Sequence, residues 1–273
     1  MRPGAVSESP SGGGLIADQA SKLAKVPRSW KTEAVVLRSI RYGEADRVLH
    51  LFTLERGRAG AIAKGARKTK SRFGGRLEPF SHVEAMLHEG RGELHTVTGV
   101  DLIRPHDLSR TDGYRLAVGH IGLEAVLRLF LEGDANARAF HALTRFLDLL
   151  DAVEARLPAQ PSLDPLVLSF QLKLLWLAGY LPHLAGCAAC GEEAGLVGFS
   201  PQAGGAVCAS CEAGSIPISA EGFEGMRGLL ERPLSEAVTA GATPRGLREC
   251  LRVIESSYEF HGGFRLRTLA QRA

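Results

Sequence analysis

Four cysteines carry the sharpest chemical signal in the chain. Cys187-Ala188-Ala189-Cys190 is followed, after seventeen residues, by Cys208-Ala209-Ser210-Cys211. Each Cys-x-x-Cys pair suits a tight turn on which two thiolates converge, and a spacer of this length lets the second turn complete a closed tetrahedral set of four sulfurs, the arrangement of structural zinc. Gly186 and Gly191 flank the first turn, and Gly204 with Gly205 supplies a bend before the second. Two other uses of the same residues are weaker. A redox dithiol needs only one pair, at a strand-to-helix step that this stretch lacks. Disulfide frameworks belong to small secreted chains, whereas this one is long, poor in cysteine and without a secretory signal. His183, four residues before Cys187, can in principle replace one sulfur, but a lone histidine is more often structural. The predicted ligands are therefore Cys187, Cys190, Cys208 and Cys211, the predicted cofactor is Zn2+, and its predicted role is structural.

The second signal is electrostatic. Arg56, Arg58, Lys64, Arg67, Lys68, Lys70, Arg72 and Arg76 fall within twenty-one residues that contain no acid. Over the whole chain 33 Lys and Arg face 30 Asp and Glu, a net charge of +3 that names no partner. Concentrated charge can do what the average cannot: eight cations on a glycine-rich strand and loop can follow a phosphate backbone and gain free energy from released counterions. The competing reading is a solvated basic loop. Phe73 is the one aromatic inside the stretch, with Tyr42, Phe52 and Phe80 nearby in sequence. So few stacking rings predict backbone-dominated binding that tolerates sequence and accepts duplex as well as single strand.

Enzymatic constellations fail on inspection. Gly198-Phe199-Ser200-Pro201-Gln202 lacks the second glycine of a nucleophile elbow, and Gly90-Arg91-Gly92-Glu93-Leu94-His95 stops short of a dinucleotide loop. Glu44, Asp46, Asp101 and Asp107 sit near strand ends where a metal nuclease could use them, but isolated acids at turns are ordinarily just solvated. The chain is read as a non-enzyme.

These residues need a scaffold. At 273 residues, 45% of them hydrophobic, the chain can bury a substantial core. No run of about 18 uninterrupted apolar residues occurs, so a soluble, cytoplasmic protein is expected. Residues 1–30, rich in small and breaker residues, read as a disordered leader. Short alternating runs at 33–37, 47–53, 57–63, 82–87 and 94–103 predict five strands, with a long connection, 64–81, between the third and fourth. That pattern suits an OB-type barrel over 31–105.

After Pro105 the apolar period changes from two to 3.6. Helices are expected over 114–131, 138–154, 165–178, 221–231 and 244–261, forming an all-α domain over 106–273. Phe140, Leu143, Leu147 and Leu150 share one face of the second. Asp164, Pro165, Gly179 and Pro182 punctuate the third, which is apolar nearly all round and so belongs at the centre. The cysteine module, at about 183–214, reads as an insertion because helical sequence resumes after it. Cys250 reads as a small core residue. The expected fold class is α+β.

Taken in order, several landmarks resemble the RecO recombination mediators of bacterial DNA repair. They are Glu33-Ala34-Val35-Val36-Leu37-Arg38, Lys64-Gly65-Ala66-Arg67-Lys68, Leu77-Glu78-Pro79-Phe80, Leu177-Ala178-Gly179-Tyr180-Leu181-Pro182, the four cysteines, and Phe199-Ser200. The resemblance covers nearly everything from Lys31 onward. It implies binding to single- and double-stranded DNA, annealing of complementary strands, work with RecR, and help for RecA in loading onto DNA coated by single-stranded-DNA-binding protein. It also implies that Lys64, Arg67 and Lys68 contact DNA, in a nucleoid-associated, cytoplasmic protein. The rival readings are a zinc-ribbon nucleic-acid factor of another kind, a metal-dependent nuclease and an interaction scaffold.

Overall fold

The computed structural model describes residues 29–90, 92–152, 160–180 and 182–270. The expected leader thus lies outside the described residues, except that Ser29 and Trp30 already belong to the first strand. The last two residues of the helix expected to Glu154 also fall outside them, as does Arg91.

Five strands, β1 (Ser29–Tyr42), β2 (Asp46–Thr53), β3 (Gly57–Ala63), β4 (His82–His88) and β5 (His95–Arg104), close into a barrel of order β1-β2-β3-β5-β4. The OB-type expectation holds. β1 is much longer than its apolar centre predicted, because it serves two partners in turn. Its first half, Ser29 to Val35, pairs with β4, and its second, from Ala34 to Tyr42, pairs with β2 past an irregularity between Val36 and Arg38. Such a bulge bends a strand and so lets one strand turn the corner of a small barrel. The polar flanks of β1 face solvent, which hides them from a search for apolar runs. Closure rests on only two parallel pairs, Ala61 with His95 and Ile62 with Thr96. Inside, Ala34, Val36, Leu49, Leu51, Ala61, Val83, Leu87 and Val97 are almost fully buried. Small alanines leave room for Phe73 and Leu77, which enter from the 64–81 connection.

The helices follow: α1 (Asp107–Thr111), α2 (Gly113–Leu129), α3 (Ala137–Ala152), α4 (Pro165–Leu177), α5 (Ala220–Glu231), α6 (Pro244–Gly262) and α7 (Arg267–Ala270). Side-chain caps start several of them. Asp112 accepts from Arg115 N, Asn136 from Ala139 N, Asp164 from Leu166 N, Ser219 from Gly222 N and Thr243 from Gly246 N. α4 is buried along most of its length and packs against α2, α3, α5 and α6, the central place its composition predicted. The short α1 and α7 carry too little periodicity to be read from sequence.

The barrel interior has a core of its own, and a second core joins barrel to helices: Val35, Leu37 and Phe52 of the barrel wall, with Phe80 of the 64–81 connection, belong to the helical cluster. On α2, a Cβ at Gly119 would lie 2.2 Å from the Phe80 ring and one at Gly122 would lie 2.5 Å from Phe146, so these glycines let the helix approach both rings. A second junction fills the edge that β3 leaves open beside β5. Arg58 N donates to Leu131 O, and Gly133 N donates to Arg58 O, so the α2–α3 connection pairs like a strap with the start of β3.

Between α4 and α5 the cysteine module forms β6 (Leu196–Ser200), β7 (Gly205–Cys208) and β8 (Ile216–Pro217), a sheet of order β7-β6-β8.

Candidate nucleic-acid surface and metal centre

The 64–81 connection is anchored, not free. At its start Gly65 N donates to Asp46 Oδ1 at 2.7 Å, and Arg67 N to Ala45 O at 2.8 Å, fixing it against the β1–β2 turn. In its middle Phe73, 1% exposed, inserts into the barrel core. At its end Phe80 N bonds Val36 O at 3.0 Å, while Glu78 pairs with Arg47 at 2.7 Å. Local sequence explains the path: Gly65 takes φ +69, and the Gly74-Gly75 pair opens a short 3-10 turn.

With its apolar residues turned inward, the loop leaves its cations outside. Lys64, Arg67, Lys68, Lys70, Arg72 and Arg76 are exposed, and none forms an ion pair among the described residues. Their internal bonds go to neutral groups: Arg67 Nη1 donates to Gly43 O, and Arg76 Nη1 to Arg72 O and Val100 O. The guanidinium of Arg72 lies 4.9 Å from the Phe73 ring centre. Phe73 is therefore the loop's anchor and presents no open stacking face.

Arg56 and Arg58 are placed elsewhere. Arg56 pairs with Glu89 at 2.5 Å and lies 4.3 Å over the Trp30 ring. Arg58 turns to the helices, where Nη1 donates to Leu127 O near the end of α2 and Nη2 stands 4.0 Å from Glu132. These two cations bind the barrel to itself and to the helical body. The surface gains others that the linear run omitted: exposed Arg41 and Tyr42, at the end of β1, adjoin the turn whose carbonyls hold Arg67. Tyr42 is 58% exposed, and a basic-aromatic pair at a hairpin tip is the signal that would have found it.

The four cysteines converge. Their sulfurs all lie within 4.8 Å of one another, and Cys190 Sγ is 3.7 Å from Cys208 Sγ. Four sulfurs about 2.3 Å from a tetrahedral ion stand roughly 3.8 Å apart, whereas a disulfide bond is about 2.05 Å. The donor set thus fits a metal ion. Backbone N–H groups of Cys208, and then of Cys190 and Ala189, point at Cys187 and hold its thiol down at about 6. Cys211, crowded by Cys190 and Cys208, is pushed up to about 12. Several thiolates this close need a cation to coexist. Three further bonds shape the first knuckle: Cys187 N to Glu192 O, Gly191 N to Cys187 O and Ala188 N to Ala206 O. His183 is used by its backbone, which exchanges bonds with Gly204 and Ala206, and Gly205 must lack a side chain because a Cβ there would lie 2.3 Å from His183 O.

The acids considered for a nuclease do not gather. Asp46 is spent on Gly65 N and Asp107 on Arg110, and among the described residues the cysteines are the one group of three or more metal-capable side chains within reach of a common ion.

Comparison with known proteins adds the lineage. Residues 28–106 match the family model Recombination protein O N terminal, and residues 110–270 match Recombination protein O C terminal. The chain belongs to the RecO family. The junction between the two matches falls where β5 gives way to α1. Among curated relatives, DNA repair protein RecO of Rubrobacter xylanophilus is 40% identical over 231 residues, covering 82% of this chain and 88% of that protein. The same-named proteins of Anaeromyxobacter sp. strain K and of Nocardioides sp. are each 35% identical, covering 86% and 85% of this chain and 92% and 94% of theirs. Membership of this DNA repair and recombination family accounts for an OB-like barrel joined to helices that carry a cysteine cluster. Among the described residues no helix is long and apolar enough to cross a membrane.

Proposed function

We propose that the protein is a non-enzymatic mediator that binds single- and double-stranded DNA on the loop after β3, anneals complementary strands and, with RecR, helps RecA load onto DNA coated by single-stranded-DNA-binding protein. The observation that carries this reading is the loop itself: six exposed cations, without an ion-pair partner among the described residues, on a backbone pinned at both ends and in the middle. Such a surface neutralises two phosphate backbones at once, lowers their repulsion and lets base pairing proceed, with no bond to make or break. The barrel over 31–105 then supplies the DNA-binding domain, and the helical domain over 106–273 supplies the body that partners meet. Zn2+ held by Cys187, Cys190, Cys208 and Cys211 would organise the insertion without reacting, since four protein ligands leave no position for water. The protein would work in the cytoplasm, associated with the nucleoid.

The test is direct. Alanine at Lys64, Arg67, Lys68 and Lys70 together is expected to weaken oligonucleotide binding and to lower the slope of log affinity against log salt by up to about 3.6 for duplex, while circular dichroism stays unchanged. An unaltered affinity and slope would remove the loop from the interface.

A further inference from the structure

The basic loop neutralises phosphates but, apart from exposed Tyr42 on the adjoining turn, offers bases little to stack on, since its own ring, Phe73, is buried. Flat, accessible rings occur at another place, where the C-terminal ends of α4 and α6 meet. The Tyr180 and His261 rings stack with centroids 4.7 Å apart and 16° between planes, and Phe260 meets His261 edge-on at 5.0 Å. Tyr180 is 36% exposed and Phe260 49%, and Trp176, one turn before Tyr180, is 48% exposed. Four aromatic side chains thus crowd two adjoining helix ends at a surface. Beside them Arg128 rests 5.0 Å over the Phe264 ring and joins no ion pair among the described residues, while Arg265 adds a cation paired with Glu259.

We propose that this aromatic corner is a second nucleic-acid contact, one that stacks the bases of a single strand whose phosphates the barrel loop holds elsewhere. The inference rests on the nucleic-acid reading of the loop and extends it. Three observations favour a single strand over a protein partner: the parallel ring pair has the geometry into which a base continues a stack, the adjoining unpaired charge is cationic, and the loop lacks this very component. His261 is suited to the stack, since burial lowers its pKa and favours the neutral ring. The fold also connects the two surfaces. The α2–α3 connection pairs with the start of β3 through Leu131 and Gly133, and three residues after Gly133 its Asn136 Nδ2 donates to Leu177 O at the end of α4. The aromatic corner therefore lies across that strap from one end of β3, and the basic loop leaves the other end. β3 itself spans on the order of 20 Å, and a single strand of about twenty nucleotides reaches well beyond that length. A duplex, whose bases are already stacked on one another, has no reason to use the corner.

Trp176 provides the probe, because the chain holds only one other tryptophan, Trp30. Fluorescence of the full-length protein is titrated with oligothymidylate of about twenty nucleotides, and the Trp176→Phe variant is subtracted to isolate the signal of Trp176. Quenching by oligothymidylate, and little by a base-free phosphodiester of equal length, is the expected result. Tyr180→Ala/Phe260→Ala should lower affinity for oligothymidylate roughly tenfold, leave the salt slope alone and leave duplex affinity unchanged. Native affinity for oligothymidylate in that double variant, or equal quenching by the base-free polymer, overturns the inference even though the loop still binds. Failure of the unaltered protein to bind either single strand or duplex overturns the loop reading instead.

Discussion

At the scale of single residues, the cysteines and the loop arginines differ in how far sequence could carry them. The convergence of the four cysteines is legible because each pair is local: Cys-x-x-Cys sets its own turn, and Gly204, at φ +76, returns the chain for the second pair. Replacing Cys187 or Cys208 by serine should each time abolish stoichiometric zinc, measured by mass spectrometry of the purified protein, and lower the melting temperature. Full zinc content in both variants would refute the ligand set. Cys250, wholly buried on α6 with its thiol pushed far up by burial, should behave differently: Cys250→Ser should cost stability but no metal. The arginines were legible only as a run. Nothing in Arg56-Gly57-Arg58 tells that Glu89 and Leu127 O await the two guanidiniums, because those partners are set by which strand edge β3 leaves open. The predicted consequence separates the two groups. Arg58→Ala should lower stability, by about 2 kcal/mol, with little change in DNA affinity once folded, since it removes a charged donor from a helix end.

At the scale of elements, periodicity marks every long helix and all five barrel strands but does not say what they are built to meet. The apolar pattern covers only five residues of β1, because only its doubly covered centre is apolar. The closeness of α2 to Phe80 and Phe146 is written in Gly119 and Gly122, but a glycine in a helix pattern does not say which ring it admits. The strap on β3 is the least legible element, being irregular chain paired to a strand. It gives a sharp prediction at Gly57, where φ is +61 and a Cβ would lie 2.0 Å from Asp134 O. Gly57→Ala should cost about 3 kcal/mol in denaturant unfolding, against about 1 kcal/mol for Gly43→Ala, whose φ is also positive but whose surroundings are open. The junction also titrates. His82, bonded to Glu33 at 2.9 Å, and His120, against Phe80, both have pKa values lowered from 6.5, mainly by burial. A lowered histidine pKa means that the unfolded chain takes up protons first, so stability is full above about pH 6.5 and declines as pH falls below it. Thermal melts between pH 8 and pH 5 should show that decline, and Tm should flatten in this range when both histidines are replaced by glutamine.

At the scale of the molecule, Val35, Leu37, Phe52 and Phe80 tie the barrel into the helical core, while the barrel interior keeps a core of its own, so the basic loop is carried on the same body as the cysteine module. Burial and charge are thereby divided in space: apolar burial holds the body, while the loop turns its apolar residues inward and its charges outward. This division is partly visible in the sequence, as an acid-free basic run within the strand pattern and a cysteine cluster far downstream within the helical one. Its geometry was not, because the anchoring partners Asp46, Ala45 and Val36 are distant in sequence from the residues that they hold. The most direct test of the central claim is the rate at which two complementary single strands anneal, followed by fluorescence quenching, with the native protein and with the variant carrying alanine at Lys64, Arg67, Lys68 and Lys70. The native protein should accelerate annealing in a manner that added salt suppresses, and the folded variant should lose most of that acceleration. Equal acceleration by both, or none by the native protein at low salt, would contradict the account.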